Sequence, residues 1–519
     1  MTITRIHSAL LLCLLASAPL LTPVATSAAG LITAVRDGDS ALSKQLLVEG
    51  ADPDIAEPDG STALLWAVYN SSPELVSLLL EAGANPDTPN SLGISPLLQA
   101  SRYGNAGMIK SLLSKGALLP SASGSTETPL LAAARSGSID AVKVLLDAGA
   151  DPDATEPLHD QTALMWAAAE GHLDVAGLLL EAGADPNGHA RLNTLAERKN
   201  ADFPTGGFTA LHWAGRNGDE GMIRLLHERG ADINTINGDG ASPMMLAIVN
   251  DRFDIAALFL ELGANADDGS LFYATEMRDA TTDWRAKDGT IYRADHPNSL
   301  DALALTERLL QAGANPNQVV NMQMHNTSMC CDTKAATTPF YRAAVAADVQ
   351  GLRMMLAYGA DTAWKPPVAT KEGEPAPDGN LGTTALMVAI NGGKGVGISG
   401  GPNDIRQTLP PFREPGNRNP LDAINVLLEA GADVHARDIN LETALHIAAK
   451  ALHPGIVKAL VAHGADIDAV NKDGDTALQV VDKMEVPAPR PGFPFFPPPA
   501  QPAEIIALLQ TLKTGKQAE

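Results

Sequence analysis

Across its 519 residues the chain sets 61 acidic side chains against 37 basic ones, a formal charge of −24, and only 4% of its residues are aromatic. So acidic a surface argues against nucleic acid and anionic membranes as partners; its charge suits either exposed turns or a basic partner. A chain of this length ordinarily divides into several cores, unless it repeats, because stacked repeats grow without a single central core.

The first segment reads as a leader. Arg5 and His7 precede a short apolar run from Ala9 to Leu15, and Ser27-Ala28-Ala29 offers small residues for cleavage. Residues 1–29 are expected to be a signal peptide cut near Ala29, leaving a periplasmic or secreted chain, the leader and Ala-rich repeats pointing to a bacterium. Cys13 follows three leucines rather than the small residues of a lipid-attachment site. No later stretch is apolar enough to span a membrane.

From Gly30 onward the chain repeats. A Gly-Ala pair begins at Gly50, Gly83, Gly116 and Gly149, 33 residues apart, then at Gly183, Gly230, Gly263, Gly313, Gly359, Gly431 and Gly464. Such a period marks a solenoid, which offers a surface for binding rather than a pocket for chemistry. A second phrase follows most pairs: Thr62-Ala63-Leu64, Thr162-Ala163-Leu164, Thr209-Ala210-Leu211, Thr384-Ala385-Leu386, Thr443-Ala444-Leu445 and Thr476-Ala477-Leu478. Its threonine suits a helix N-cap. Pro96, Pro129, Pro243 and Pro339 suit the first helical position, where no hydrogen bond is lost.

Each phrase predicts a helix of about ten residues, as in TALMWAAAEG, closing near Gly171. A second helix then runs to the Gly-Ala pair. Val76, Leu79 and Leu80 fall on one of its faces, as do Val142, Leu145 and Leu146 in another unit. The pair's glycine supplies a left-handed helix end. Asp59-Gly60, Asp239-Gly240 and Asp473-Gly474 then turn the chain toward the next threonine.

The unit resembles the ankyrin repeat, with its Thr-Pro-Leu-His-x-Ala phrase and Leu-Leu-x-x-Gly-Ala ending. TALHWAGRNGDEGMIRLLHERGADIN (209–234) and TALHIAAKALHPGIVKALVAHGADID (443–468) match it closely. The expected fold is all-α: a solenoid of about twelve helix-turn-helix units over residues 30–515, with short β-hairpin finger loops and a tail at 516–519. The first unit lacks the Thr-Ala-Leu phrase and the last lacks a Gly-Ala ending, as terminal caps would.

Longer spacings locate insertions. Those near 188–206, 318–337 and 363–382 fall where the fingers lie. Those near 280–300, 391–420 and 485–502 fall between the two helices of one unit. Insertions along one edge suit a contact face, or loop growth tolerated at an exposed edge. Five of the six begin after residue 279, which places the expected contact region in the later units. NGGKGVGISGG (391–401) lacks the Gly-Lys-Ser/Thr order of a phosphate loop and reads as a linker. The proline-rich VPAPRPGFPFFPPPAQP (486–502) favours an extended form that docks on the chain's own end or meets a partner.

Three tryptophans, Trp66, Trp166 and Trp213, share the fourth place after the capping threonine. In the resembling family this place lies on the inner helix near the concave side; it suits partner contact or packing between repeats. His212 and His446 fill the family's histidine position, which implies a structural bond between loops.

The loop NMQMHNTSMCCD (321–332) gathers Met322, Met324, His325, Met329, Cys330 and Cys331. Thioether, thiolate and imidazole suit a soft metal such as Cu(I), but the spacing matches no zinc or haem signature. After export Cys330 and Cys331 would pair together, pair with another chain or stay free.

No nucleophile elbow, His-Glu-x-x-His or dinucleotide fingerprint occurs, and no cofactor is expected. The resemblance implies a non-enzymatic scaffold in the cell envelope or outside the cell. It would take a protein partner along its concave face and finger loops. Accessory binding to an envelope redox enzyme and immunity to a delivered toxin are the roles it suggests. The alternative is a metal-handling or redox accessory using loop 321–332.

Overall fold

A computed structural model describes residues 23–119, 127–193, 205–279, 298–320, 337–366, 382–390, 419–484 and 501–515. The described residues contain 24 helices, which follow one another as twelve pairs. The expected all-α repeat architecture is thus present. The chain separates into two compact units, Met1–Arg191 and Leu192–Glu519.

The first unit holds α1 (Pro23–Arg36) with α2 (Ser40–Val48), α3 (Ala63–Tyr69) with α4 (Pro73–Glu81), and α5 (Pro96–Arg102) with α6 (Ala106–Ser114). It continues with α7 (Pro129–Ser136) and α8 (Ile139–Asp147), then α9 (Ala163–Glu170) and α10 (Leu173–Glu181). The first helices of successive pairs pack on one another, as do the second helices, giving two layers.

The second unit opens with β1 (Leu192–Asn193) and β2 (Thr205–Gly206), then α11 (Ala210–Asn217) and α12 (Glu220–Glu228). Next come α13 (Pro243–Val249) and α14 (Phe253–Glu261), α15 (Ser270–Asp279) and α16 (Ala302–Gln311), and α17 (Pro339–Val345) and α18 (Val349–Ala357). It ends with α19 (Ala385–Ala389) and α20 (Pro420–Glu429), α21 (Ala444–Lys450) and α22 (Pro454–Ala462), and α23 (Ala477–Asp482) and α24 (Pro502–Lys513). The same layering runs through α13–α24.

Local chemistry explains the punctuation. Thr62 Oγ1 accepts from the Leu65 amide at 3.2 Å, and Ser95 Oγ accepts from the Leu98 amide at 3.2 Å. Each bond satisfies an amide that the first helical turn leaves orphaned. Pro96, Pro129, Pro243 and Pro339 all begin helices.

At the other end Gly83 has φ +94°, and an added Cβ would meet nothing within 4 Å. Backbone conformation, not space, therefore demands glycine there. Gly215 is the opposite case. It lies inside α11, where a Cβ would sit 2.7 Å from the Pro243 carbonyl oxygen and 3.2 Å from the Phe259 ring. Its missing side chain lets neighbouring pairs approach closely.

Burial follows the helix faces. Val76, Leu79 and Leu80 are in the core, as are Val142 and Leu145. Leu146 differs from expectation: it is only half-buried. It stands one residue, ~100° of helix rotation, beyond Leu145 and reaches the rim of the packed face.

The loops are built from two hydrogen-bond ladders. In the first, the second Asp or Asn after a Gly-Ala pair accepts a backbone N–H from the next repeat. Asp54 accepts from Asn85 at 2.6 Å, Asp153 from Asp185 at 2.8 Å, Asn234 from Asn265 at 2.7 Å and Asn317 from Asp361 at 2.8 Å. In the second, neighbouring fingers bond directly: Ser91 N–H donates to the Asp59 carbonyl at 2.7 Å, and Lys472 N–H to the Asn440 carbonyl at 2.8 Å. Much of the acidity in these turns thus has a structural use.

Short antiparallel pairing closes several fingers. Ala56 bridges to Thr62, Val320 to Thr337 and Val470 to Thr476, while β1 and β2 pair Leu192 with Gly206 and Asn193 with Thr205.

Candidate interaction surface

The three tryptophans sit at equivalent places on α3, α9 and α11, and all are half-buried. Each carries a guanidinium over its ring. Arg36 lies 4.6 Å from the centre of Trp66, Arg135 lies 5.3 Å from Trp166, and Arg216 lies 5.4 Å from Trp213. Such stacking attracts the cation to the ring face. For Trp66 and Trp166 the arginine comes from the preceding repeat, so the contact also joins neighbours.

The indole N–H groups differ. Trp66 Nε1 donates to Glu57 Oε2 at 3.0 Å, and Glu57 is ion-paired to Arg36. Cation, ring and carboxylate there form a closed set within the chain. Trp166 Nε1 is buried without an acceptor. Its covering Arg135 pairs with Glu127 at 3.4 Å, and Glu127 also holds Arg102 at 2.5 Å. Trp213 stacks against Phe208, centres 5.1 Å apart.

His212 and His446 link loops. His446 Nδ1 accepts from the Thr443 backbone N–H at 3.2 Å, while its Nε2 lies 3.1 Å from the Asp475 carbonyl oxygen of the next repeat. His212 makes the same arrangement with Thr209 and the Ala241 carbonyl, at 3.1 Å each. The pattern requires a neutral ring, with Nδ1 as acceptor and Nε2–H as donor. Burial accordingly pushes the His446 pKa down.

Loop 321–332, with Met322, Met324, His325, Met329, Cys330 and Cys331, lies outside the described residues. Among the described residues no group of three or more His, Cys, Asp or Glu is placed to hold a metal ion. No described helix is long and apolar enough to cross a membrane.

One feature of the fingers escaped the sequence reading. Leu92, Leu118 and Leu158, in three successive loops of the first unit, are 71%, 70% and 68% exposed. Ile236, Val319, Ile439, Leu441 and Val470 are exposed in loops of the second unit. Leu92, Ile236, Ile439, Leu441 and Leu158 lie inside the turns just before a capping Thr or Ser, a position that could have flagged them. Trp364, which meets Tyr341 edge-on at 5.3 Å, was likewise unread.

Packing is concentrated between the helix layers, and apart from Val48 of α2 the most exposed large apolar residues lie in the loops, the build of a stacked-repeat protein. Two family profiles match it: "Ankyrin repeats (3 copies)" over residues 31–123, 118–190 and 188–269, and "Ankyrin repeats (many copies)" over 427–481. Together they span more than half of the chain, which belongs to the ankyrin-repeat family.

Among curated relatives it is 37% identical over 109 residues to cattle (Bos taurus) protein fem-1 homolog A, covering 21% of this chain and 14% of that protein. It is 42% identical over 62 residues to mouse (Mus musculus) protein phosphatase 1 regulatory subunit 27, covering 12% of this chain and 40% of that one. The chain therefore spans well under two thirds of these relatives. The human ASB11 ankyrin repeat domain aligns at 24% identity and a TM-score of 0.39, covering 45% of this chain and 98% of that one. The ankyrin repeat domain of Bcl-3 aligns at 27% identity and a TM-score of 0.37, covering 44% and 97%.

Proposed function

We propose that this chain is an exported, non-enzymatic interaction scaffold that binds a partner protein in the cell envelope or outside the cell. One observation carries the interaction part: successive fingers hold large apolar side chains in solvent on turns pinned by hydrogen bonds. Groups of this kind, already ordered, bind at low entropic cost. The leader supports export. Within residues 30–36 of α1, Leu31, Ile32, Ala34 and Val35 are buried, and a cut near Ala29 spares them.

The partner on this reading is an envelope enzyme that the scaffold assists, or a toxin that it neutralises. A relative named as a regulatory subunit of a phosphatase supports the first role by analogy. Photo-crosslinkers placed at Leu92, Leu158, Ile236 and Leu441 in bacteria expressing the full chain test the interaction. A discrete adduct with an envelope protein is expected; its absence at all four sites overturns the reading. N-terminal sequencing of the exported protein should begin near Gly30, and an intact Met1 would overturn the export assignment.

A further inference from the structure

We infer that α7 and α9 take an aspartate or glutamate side chain of the partner protein, held between Arg135 and the indole N–H of Trp166. The inference rests on the interaction reading above and names a chemical group that the partner must carry.

Two equivalent places in the first unit differ by one carboxylate. Around Trp66 the set is closed: Arg36 of the preceding repeat lies over the ring, and Glu57 meets both Arg36 and the indole N–H. Trp166 has the same slot on α9 and the same kind of cover, Arg135 of the preceding repeat. Its counterpart of Glu57 is Glu156, and the backbone fixes that correspondence. Glu57 N–H donates to the Ser61 carbonyl at 2.9 Å and Glu156 N–H to the Gln161 carbonyl at 3.1 Å, each acceptor standing just before a capping threonine.

Glu156 nevertheless does not reach the indole. Its loop is one residue longer, 156–161 against 57–61. In the shorter loop Asp59 holds the turn, accepting from the Ser61 N–H at 2.9 Å and the Ser61 hydroxyl at 3.0 Å. Glu57 is thereby free to extend to Trp66. In the longer loop Glu156 holds the turn itself: Oε2 accepts from the Leu158 N–H and Oε1 from the His159 N–H, both at 2.7 Å. Trp166 Nε1 is left buried without an acceptor. A donor in that state gains a full hydrogen bond from an acceptor that reaches it.

Arg135 is also incompletely paired. Glu127 lies 2.5 Å from Arg102 and 3.4 Å from Arg135, so one carboxylate serves two guanidinium groups and a positive charge is left over. The Arg135 side chain is 42% exposed and that of Glu127 only 11%, so the cation is what this surface offers. Being exposed, Arg135 can turn toward solvent and uncover the indole edge. An incoming carboxylate then accepts from both groups, as Glu57 does from Arg36 and Trp66. A neutral acceptor would satisfy the indole alone; a carboxylate also answers the surplus charge.

The test displays random short peptides on phage against the full chain. Selected peptides should contain Asp or Glu. In a synthetic copy, exchanging the contacting acid for its amide should weaken binding to the parent by about tenfold or more. The same exchange should have no effect on binding to Arg135→Gln, a cycle that isolates the contact from general weakening. Arg135→Gln leaves Glu127 paired with Arg102, so no carboxylate is stranded. Trp166→Phe, which keeps a ring but not the N–H, should weaken binding, whereas Trp66→Phe should not. Peptides without an acid, or an acid whose exchange matters equally to the parent and to Arg135→Gln, overturn the inference, as does failure of every peptide to enrich. The interaction reading is decided separately, by the crosslinkers at the fingers.

Discussion

Arg278 and Asp348 form an ion pair almost wholly removed from water, their side chains 4% and 2% exposed. Arg278 Nε meets Asp348 Oδ2 at 2.5 Å and its Nη2 meets Oδ1 at 2.7 Å, a bidentate fork between the end of α15 and the cap of α18. Asp348 also caps α18 through the Gly351 N–H at 3.1 Å. A Cβ on Gly351 would lie 2.6 Å from Asp348 Oδ2, so glycine keeps room for the carboxylate. Beside this pair, Glu276 of α15 holds Arg342 of α17.

The first prediction concerns this lock. Arg278→Ala strands a buried carboxylate and should cost about 3–5 kcal/mol in the second unit. Adding Asp348→Asn, which keeps a capping oxygen, should restore part of the loss. Urea unfolding of the single and double variants measures both. Equal stability of the single variant and the parent would show that the pair contributes nothing.

The second concerns packing between repeats. Leu145 is fully buried in α8, and Leu145→Ala should cost about 2–5 kcal/mol. Leu146→Ala should cost less, because Leu146 retains solvent contact. Coupling between repeats is nearest-neighbour, so hydrogen exchange should speed up around α6, α8 and α10 first. Uniform acceleration from α1 to α24 would contradict this.

The third sets two glycines against each other. Gly83→Ala forces a left-handed alanine and should cost about 1–2 kcal/mol. Gly215→Ala drives a methyl group into the Pro243 carbonyl and Phe259, for which strain of about 1–3 kcal/mol is expected. Gly83→Asn should recover most of the first loss, since asparagine tolerates that conformation. Gly215→Asn should be worse than alanine. Thermal melting of the four variants distinguishes conformation from space.

The fourth is a pH dependence. The folded pKa of His446 lies below its ordinary value of 6.5. Above pH 6.5 the ring is neutral in both states and contributes no slope. As pH falls below 6.5 the unfolded chain binds a proton that the native ring refuses. Stability therefore drops until the folded pKa is passed, after which the loss is complete. His446→Gln should flatten this slope. Gln479 shows that glutamine fills the capping half of this role, accepting from the Thr476 N–H at 2.9 Å. Urea midpoints at pH 7 and pH 5 give the comparison, and an unchanged slope would exclude His446 as its source.

Much of the candidate surface was legible in the sequence, and the rest was hidden for physical reasons. The slot of Trp66, Trp166 and Trp213 follows from counting after the capping threonine. That the rings of Trp66 and Trp166 lie beneath arginines does not, because Arg36 and Arg135 belong to the preceding repeats. The role of His446 was indicated by its place in the repeat, while its acceptor on Asp475 lies 29 residues away. Leu92 and Leu158 could be told from Leu79 or Leu145 by their turns before a capping residue, whereas the exposure of Leu118 had no such signal.

What the sequence by itself determined is local and periodic. Threonine caps, first-turn prolines and left-handed glycines act within a few residues, so their spacing alone specified the helices and their ends. Tertiary structure decided whatever depends on atoms brought together from distant positions. The division at Arg191, the burial of Arg278 against Asp348, the stacking of Arg135 on Trp166 and the exposure of three finger leucines are of this kind. Stacking supplies their partners or leaves them in water, and no residue carries that outcome in its own chemistry.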